Sequence, residues 1–416
     1  MIQRRALVIG GSVGGLFAAA LLRQAGWDAV VFERNAEELA GRGAGISTHP
    51  EMGDVLRRLG IVFDDSMSVT VPGVLFLDRQ GHIYDRRDAP RTMSSWGRIF
   101  RSLRDLVPTE AYRLGMTLTG IEQDSNGITA IFADGTREHG DILVGADGGR
   151  STVRAVMLPE VAPAYAGYVA WRAMLEERDI PPAIHADIFE RYTYCLPQGE
   201  LFLAYPVPGL NNETEPGKRA YNIVWYRPTA PDQLAQLCTD ATGRCHGTSI
   251  PLPLIRPEVT ADIRRAARRL VAPQVAEIFE RCPQPFFQAI FDLASPRIAF
   301  GRVALIGDAA FIARPHPGAG TTKAALDAAS LADALSTDGL AGLARYQREQ
   351  HSFGAGLVAL GQREGSYLTA QLKPVEDRSE AERQPWDIES LMQSHRTRSA
   401  EVRRVLDESR AKSAAS

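Results

Sequence analysis

The first forty residues constrain the fold more than any other stretch. An apolar run at 6–9 is followed by Gly10, Gly11, Ser12, Val13, Gly14 and Gly15, and then by a helical pattern at 16–25 that Gly26 stops. A second apolar run at 29–32 ends at Glu33. Strand, glycine turn, helix and strand in this order predict a βαβ unit with parallel strands. Such a turn brings backbone N–H groups and a helix N-terminus to one point, which suits a pyrophosphate only where side chains are absent. Gly10 permits the tight turn and Gly15 the close packing of the helix. Ser12 stands where a second glycine is usual; it still allows close approach and can donate a hydrogen bond. Glu33, roughly 20 residues on, is placed to take adenosine ribose hydroxyls. The pattern points to a dinucleotide and does not choose between FAD and NAD.

Composition sets the class. With 416 residues, 44% hydrophobic and 23% charged, the chain can form two or three units with a sizeable core and a deep pocket. A formal charge of -3 gives no general attraction to nucleic acid or anionic lipid, and neither is expected as a partner. The basic run Arg264, Arg265, Arg268 and Arg269 reads as a solvated helix face. Cys195, Cys238, Cys245 and Cys282 form no CxxC pair, and His246 beside Cys245 is too little for zinc. Free thiols in a reducing cytoplasm and no metal site are expected. Arg4 and Arg5 before an apolar stretch to Leu22 have the outline of a signal peptide. The glycines there sit where a nucleotide turn needs them, so neither secretion nor a membrane span is expected.

Further along, Asn126-Gly127 and Asp134-Gly135 read as hairpin turns of a small antiparallel meander that delivers a strand at 141–145. Aromatic and β-branched runs at 168–175, 188–196, 201–207 and 221–226 predict a tyrosine-rich antiparallel sheet, joined by the hairpin around Gly81. The chain returns to the first unit at 303–306, and an alanine-rich helix follows at 321–335. After Ala344 the pattern is helical; past Lys373 it is polar, which fits a helical tail, a dimer contact or partial disorder. The expected fold is α/β. A Rossmann-like cofactor domain (1–65, 95–160 and 298–345) carries an inserted antiparallel-sheet substrate domain (66–94 and 161–297) and a C-terminal helical region (346–416).

Two more motifs carry chemistry. The run 141–148 ends a strand at Asp147-Gly148 and continues to Ser151 and Arg154; an acid followed by glycines turns the chain sharply, either as an ordinary strand end or beside a cofactor. The run 301–310 delivers Asp308 to the C-terminal end of a buried strand, where α/β sheets bind ligands. Arg314, Pro315, His316, Pro317, Gly318, Ala319 and Gly320 then open a helix whose N-terminus can stabilise negative charge.

These three motifs, in this order, resemble the single-component, group A flavoprotein monooxygenases of the p-hydroxybenzoate hydroxylase type, up to about residue 345. Within that family, the stretches 164–172, 204–209 and 314–316 are most similar to the hydroxypyridine hydroxylases. The resemblance implies one bound FAD, transient NADH or NADPH, O2, a small hydroxylated aromatic substrate with a hydroxypyridine foremost, and a homodimer. It implies that Gly10, Ser12, Gly14, Gly15 and Glu33 bind the ADP half, and it adds Arg34, Gly45, Gly318 and Gly320 to the cofactor set. Arg101 matches the family's flavin-contacting arginine, with Arg98 as a competitor. Asp147 is implied near the pyrophosphate and Asp308 near the ribityl chain, while Phe311 replaces a histidine often found there.

The chemistry implied is reduction of FAD by NAD(P)H, formation of a flavin C4a-hydroperoxide with O2, and oxygen transfer to an electron-rich ring carbon. The protein must position the ring, exclude water and favour its deprotonated form. His316 is the candidate acid/base, because unperturbed imidazole titrates near neutrality; a loop residue bonded to backbone is the plainer alternative. Tyr192, Tyr194 and Tyr205 are candidates to stack on or hydrogen-bond the substrate, against plain sheet packing, and alternation puts the first two on one face. His49, after the loop Gly43-Ala44-Gly45-Ile46, is a further candidate to approach the ring. Gly354-Ala355-Gly356 has no strand before it, so a second nucleotide domain is not expected, which disfavours a disulfide-reductase type. An oxidase or reductase that never inserts oxygen, a hydroxylase of a phenol or purine, and a non-catalytic nucleotide-binding module stay open.

Overall fold

The computed structural model describes residues 4–39, 45–64, 67–209 and 211–414, so Gly43 and Ala44 of the loop before Ile46 lie outside it. The first strand, Arg5–Ile9, lies between two parallel neighbours, Asp28–Phe32 and Ile142–Gly145. Val303–Leu305 extends the sheet beyond Ile142–Gly145, and Tyr112–Arg113 extends it beyond Asp28–Phe32. Apolar runs such as Leu7 and Val8 are buried because a parallel sheet is covered on both faces. On one face the helix Val13–Gln24 packs against the helix Gly320–Asp338. On the other lies the meander of Leu118–Gln123, Ile128–Phe132 and Arg137–Gly140, with Phe132 against Phe32 at a ring distance of 4.9 Å.

The first helix begins at Val13, not near Leu16, because Ser12 takes the N-cap position and the glycines run into the first turn. This places the glycine backbone at a helix N-terminus. Gly10 has φ +108°, and a Cβ there would collide with the Ala146 carbonyl at the end of the neighbouring strand. At Gly15 a Cβ would collide with the Gly10 carbonyl, so the absence of both side chains lets helix and sheet close on each other.

Among the described residues, the second sheet has nine strands. Five of them, Phe286–Ala294, Ala164–Glu176, Ala220–Pro228, Leu201–Val207 and Tyr192–Cys195, run in that spatial order, followed by Val69–Leu77 and Ile83–Ser95. The strands Gly45–Ser47 and Phe311–Ile312 form its two edges. Residues 188–191 are not part of a strand: His185–Phe189 is a π-helical turn that buries Ile188 and Phe189. Alternation gives the sheet two unlike faces. Tyr221, Ile223 and Trp225 pack on a layer that includes the helices Pro257–Leu270 and Pro273–Arg281, whereas Val224 and Tyr226 point the other way. Arg265, Arg268 and Arg269 of the first of these helices face outward, with Arg265 paired to Asp262 and Arg268 to Glu280, whereas Arg264 is half-buried and donates to the Cys282 carbonyl at 2.7 Å.

The region past Lys373 is more ordered than its polarity suggests. Ile388–Ala414 is one long helix packed along the helix Leu343–Glu364, burying Val402, Val405 and Leu406 against Phe353 and Leu357. Its apolar positions are sparse because the polar side chains Ser394 and Arg398 line an internal cavity. Gly354 and Gly356 lie inside the helix Leu343–Glu364, where the first accommodates the Phe311 ring and the second Val405. No helix among the described residues is long and apolar enough to cross a membrane.

Candidate active site

Two cavities meet at the boundary between the sheets. The first, about 540 Å³, is lined by Gly10, Ser12, Gly14, Glu33, Asp147 and Asp308, among others. Ser12 makes no capping hydrogen bond, so its hydroxyl is available at the N-terminus of the first helix. Glu33 is buried; its carboxylate accepts from Gly11 N at 2.7 Å and Asn35 N at 2.9 Å, and Asn35 Nδ2 also donates to it. These bonds hold the glycine turn against the end of the second strand. They leave acceptor capacity on a group with about four lone-pair sites. Arg34 is exposed at the rim. Asp147 Oδ2 accepts from Thr152 N at 2.7 Å and Val153 N at 3.1 Å, whereas Oδ1 is buried with no partner. Burial pushes the Asp147 carboxyl above the usual carboxylate range. An orphaned acceptor, a free hydroxyl and a backbone cradle in one groove fit a dinucleotide that supplies hydroxyl donors and phosphate oxygens. A Cβ on Gly320, at the mouth of the groove, would meet only open space.

The second cavity, about 1100 Å³, shares Trp96, Asp308, Gly320 and Thr321 with the first. Its floor is one face of the nine-stranded sheet. A register row across five strands, Phe286, Arg172, Val224, Leu203 and Tyr194, lines it throughout. Tyr192 and Tyr194 do share a face, with ring centroids 5.1 Å apart, and Tyr192 stacks on Tyr205 at 4.7 Å. Tyr205 Oη donates to the Gly45 carbonyl at 3.4 Å, so Gly45 belongs to this aromatic cavity and not to the nucleotide groove. Gly318 lines it too, with φ +63°.

His316 stands in the same wall. Its Nε2 lies 2.7 Å from Tyr168 Oη and its ring 4.9 Å from Tyr226, while Nδ1 has no hydrogen-bond partner among the described residues. Burial, and then the Arg314 and Arg398 cations, push its pKa down to about 3. The ring is therefore neutral near pH 7, with one donor and one acceptor nitrogen. It is a hydrogen-bonding group there, not one already holding an extra proton. Arg314 beside it is fixed by Asp292 at 2.7 Å and by the Gly365 carbonyl at 3.1 Å.

Three expected contacts lie elsewhere. His49 is buried behind the Pro317-Gly318 turn, lining a neighbouring cavity of about 640 Å³, and burial and Arg398 lower its pKa to about 4. Gly15 packs behind the groove without lining it. Arg101 and its competitor Arg98 line neither cavity. Their helix, Trp96–Arg104, presents Trp96 to the junction, and a residue five positions on is rotated about 140° away. The wall also holds Arg172, Tyr226, Glu364, Trp386 and Arg398, which were not singled out from the sequence. Strand period could have found Tyr226; the residues past 363 carried no signal. Away from the cavities, Glu177, His185 and Glu190 bring metal-type ligand atoms together, but Arg219 donates to both carboxylates.

A nucleotide groove that opens, beside a strand-end carboxylate, onto an aromatic cavity is the arrangement that a flavin-dependent hydroxylase of aromatic rings requires. Comparisons with known proteins agree. A family model described as FAD binding domain matches residues 3–198, and one described as FAD binding domain-like matches 165–292. The chain is 35% identical to 2,6-dihydroxypyridine 3-monooxygenase of Paenarthrobacter nicotinovorans over 335 residues, 80% of this chain and 83% of that one. It is 26% identical to 6-hydroxynicotinate 3-monooxygenase of Pseudomonas fluorescens over 358 residues, 80% of this chain and 83% of that one. The crystal structure of 2,6-dihydroxypyridine-3-hydroxylase from Arthrobacter nicotinovorans superposes with a TM-score of 0.82 and 32% identity, covering 91% of this chain and 96% of that one. The chain belongs to the FAD-dependent aromatic monooxygenases.

Proposed function

We propose that this monooxygenase hydroxylates a small hydroxylated N-heteroaromatic ring, a hydroxypyridine first among them, with NADH or NADPH as the reductant. The observation that carries the reading is the junction at Asp308 and Gly320, where the nucleotide groove meets a tyrosine-walled cavity. The activities named for the two relatives support the choice of ring.

When bound, FAD supplies the redox chemistry that activates O2 for insertion. Gly10, Ser12 and Gly14 offer backbone N–H groups and a hydroxyl to the pyrophosphate, and Gly15 acts from behind by letting the helix close on the turn. Glu33 uses its remaining lone pairs on ribose hydroxyls, and Arg34 adds a cation at the rim. Asp147 Oδ1 and Asp308 accept hydrogen bonds from cofactor hydroxyls. Gly318 and Gly320 let the N-terminus of the helix Gly320–Asp338 approach the flavin, with Gly45 adding backbone from the wall of the aromatic cavity. Tyr192, Tyr194 and Tyr205 hold the ring against the sheet and exclude water. His316 Nδ1, the nitrogen not committed to Tyr168, meets a ring hydroxyl and holds its proton in a hydrogen bond.

The test is a panel of hydroxypyridines, phenols and hydroxypurines, followed by NADH and NADPH oxidation with mass spectrometry of the products. A hydroxypyridine product gaining one oxygen, formed in step with reductant consumed, supports the reading. Turnover confined to phenols or purines, or peroxide without hydroxylated product, refutes it.

A further inference from the structure

Four charged side chains in the wall of the aromatic cavity, Arg172, Asp308, Glu364 and Arg398, make no hydrogen bond or ion pair among the described residues. Arg314 and Arg363 in the same wall are taken by Asp292 and Glu401. Asp387 accepts from Ser390 N at 2.7 Å. Asp308 stands at the junction with the nucleotide groove and is assigned to the cofactor above. The other three come from separate elements. Arg172 rises from the floor strand Ala164–Glu176, Glu364 ends the helix Leu343–Glu364, and Arg398 lies on the C-terminal helix.

Arg172 Nε, Glu364 Oε2 and Arg398 Nε are each buried without a partner. Those three atoms are sealed off, but the Nη groups of both arginines and Glu364 Oε1 also make no hydrogen bond and keep open surface, so a ligand seated in the cavity can complete these charged heads. Both guanidiniums are within electrostatic reach of Tyr205 and Tyr226, so they flank the same tyrosines. Arg398 and Glu364 also sense each other, yet they form no ion pair, which leaves room between cation and carboxylate.

Resting on the hydroxypyridine reading above, we propose that Arg398 and Glu364, with Arg172 opposite, read the polar edge of the substrate. The guanidiniums take a ring oxygen that carries negative charge, and Glu364 accepts hydrogen from a ring N–H or hydroxyl. The matching ligand is a hydroxylated N-heterocycle whose acceptor and donor stand side by side, as on a lactam edge. The C-terminal helix thereby becomes part of the specificity apparatus.

The experiment titrates FAD-loaded enzyme, without reductant, with 2,6-dihydroxypyridine and with resorcinol, which keeps both hydroxyls and lacks the ring nitrogen. Calorimetry and the shift in flavin absorbance report affinity. The wild type should prefer the pyridine by about tenfold, Arg398→Gln should weaken both rings by about 10- to 100-fold, and Arg398→Lys should recover part of the loss. Glu364→Ala should erase the preference for the pyridine. Flavin content and melting temperature identify a misfolded variant, in which case Arg398→Lys and Glu364→Gln carry the comparison. Unchanged affinity in the Arg398 variants, or a preference that survives at Glu364, overturns the proposal. If the wild type binds neither ring, the hydroxypyridine reading fails. The variants are then titrated with whichever panel ring binds, and loss of affinity at Arg398 still supports its role while retention overturns it.

Discussion

Asp327 lies beneath the turn that presents Asp308, and its removal should damage both folding and cofactor binding. The carboxylate accepts from Gly307 N at 2.8 Å and from Lys323 Nζ at 2.5 Å, and the same ammonium donates to Gly307 O at 3.0 Å. Lys323 and Asp327 are both fully buried. Asp327→Ala leaves the ammonium facing a single carbonyl, and breaking one side of a buried pair costs about 3–5 kcal/mol. At about 1 °C per kcal/mol for a chain of 416 residues, the FAD-free protein should melt roughly 5 °C lower. Gly307 and Asp308 both line the nucleotide groove, so FAD affinity should fall as well. The two effects separate in thermal melts with and without saturating FAD. The stabilisation gained from FAD shrinks by about 1.4 kcal/mol for each tenfold loss of affinity. Replacing both partners, Lys323→Met with Asp327→Leu, should restore much of the FAD-free stability without restoring FAD affinity. An Asp327→Ala protein melting within about 1 °C of wild type and titrating normally with FAD would refute the clamp.

Three further outcomes are expected. Gly10→Ala forces a Cβ onto the Ala146 carbonyl at φ +108°, so the purified protein should carry little flavin, read as absorbance near 450 nm per chain, on the order of a 1–3 kcal/mol penalty. Tyr192→Ala removes the ring stacked on Tyr205 and should raise the substrate dissociation constant about tenfold with full FAD content, measured by titration. His316 is held near pKa 3 in the fold but takes a proton near 6.5 when unfolded, so it contributes nothing above pH 6.5 and progressively destabilises the fold below it. His316→Gln should therefore flatten the loss of stability between pH 6 and 4 by roughly 1.4 kcal/mol per pH unit, and equal slopes in urea titrations of both proteins would contradict the assignment.

Local chemistry made part of the site legible. The glycine turn, Glu33, Asp147 and Asp308 announce themselves because each needs a particular residue type at a strand end, and all four converge on one groove. Tyr192 and Tyr194 could be placed on one face because strand period is strict, whereas Tyr205 joins them through the register of the next strand. His49 could not be separated from that wall, because the Pro317-Gly318 turn that screens it arrives from far along the chain. Arg101 lines neither cavity for a related reason: which side of its helix meets the groove is set by packing against distant parts of the chain. The C-terminal helix was least legible, since polar residues facing a cavity look in sequence like residues facing bulk water.

Oxygen labelling reaches the core of the mechanism. Purified FAD-loaded enzyme is supplied with NADH or NADPH, a hydroxypyridine and 18O2, and the product is weighed by mass spectrometry. Incorporation of one labelled oxygen atom into the ring is the result expected if the groove and the aromatic cavity work as one site. Reductant consumed with all the label in hydrogen peroxide or water, and none in the ring, would contradict it.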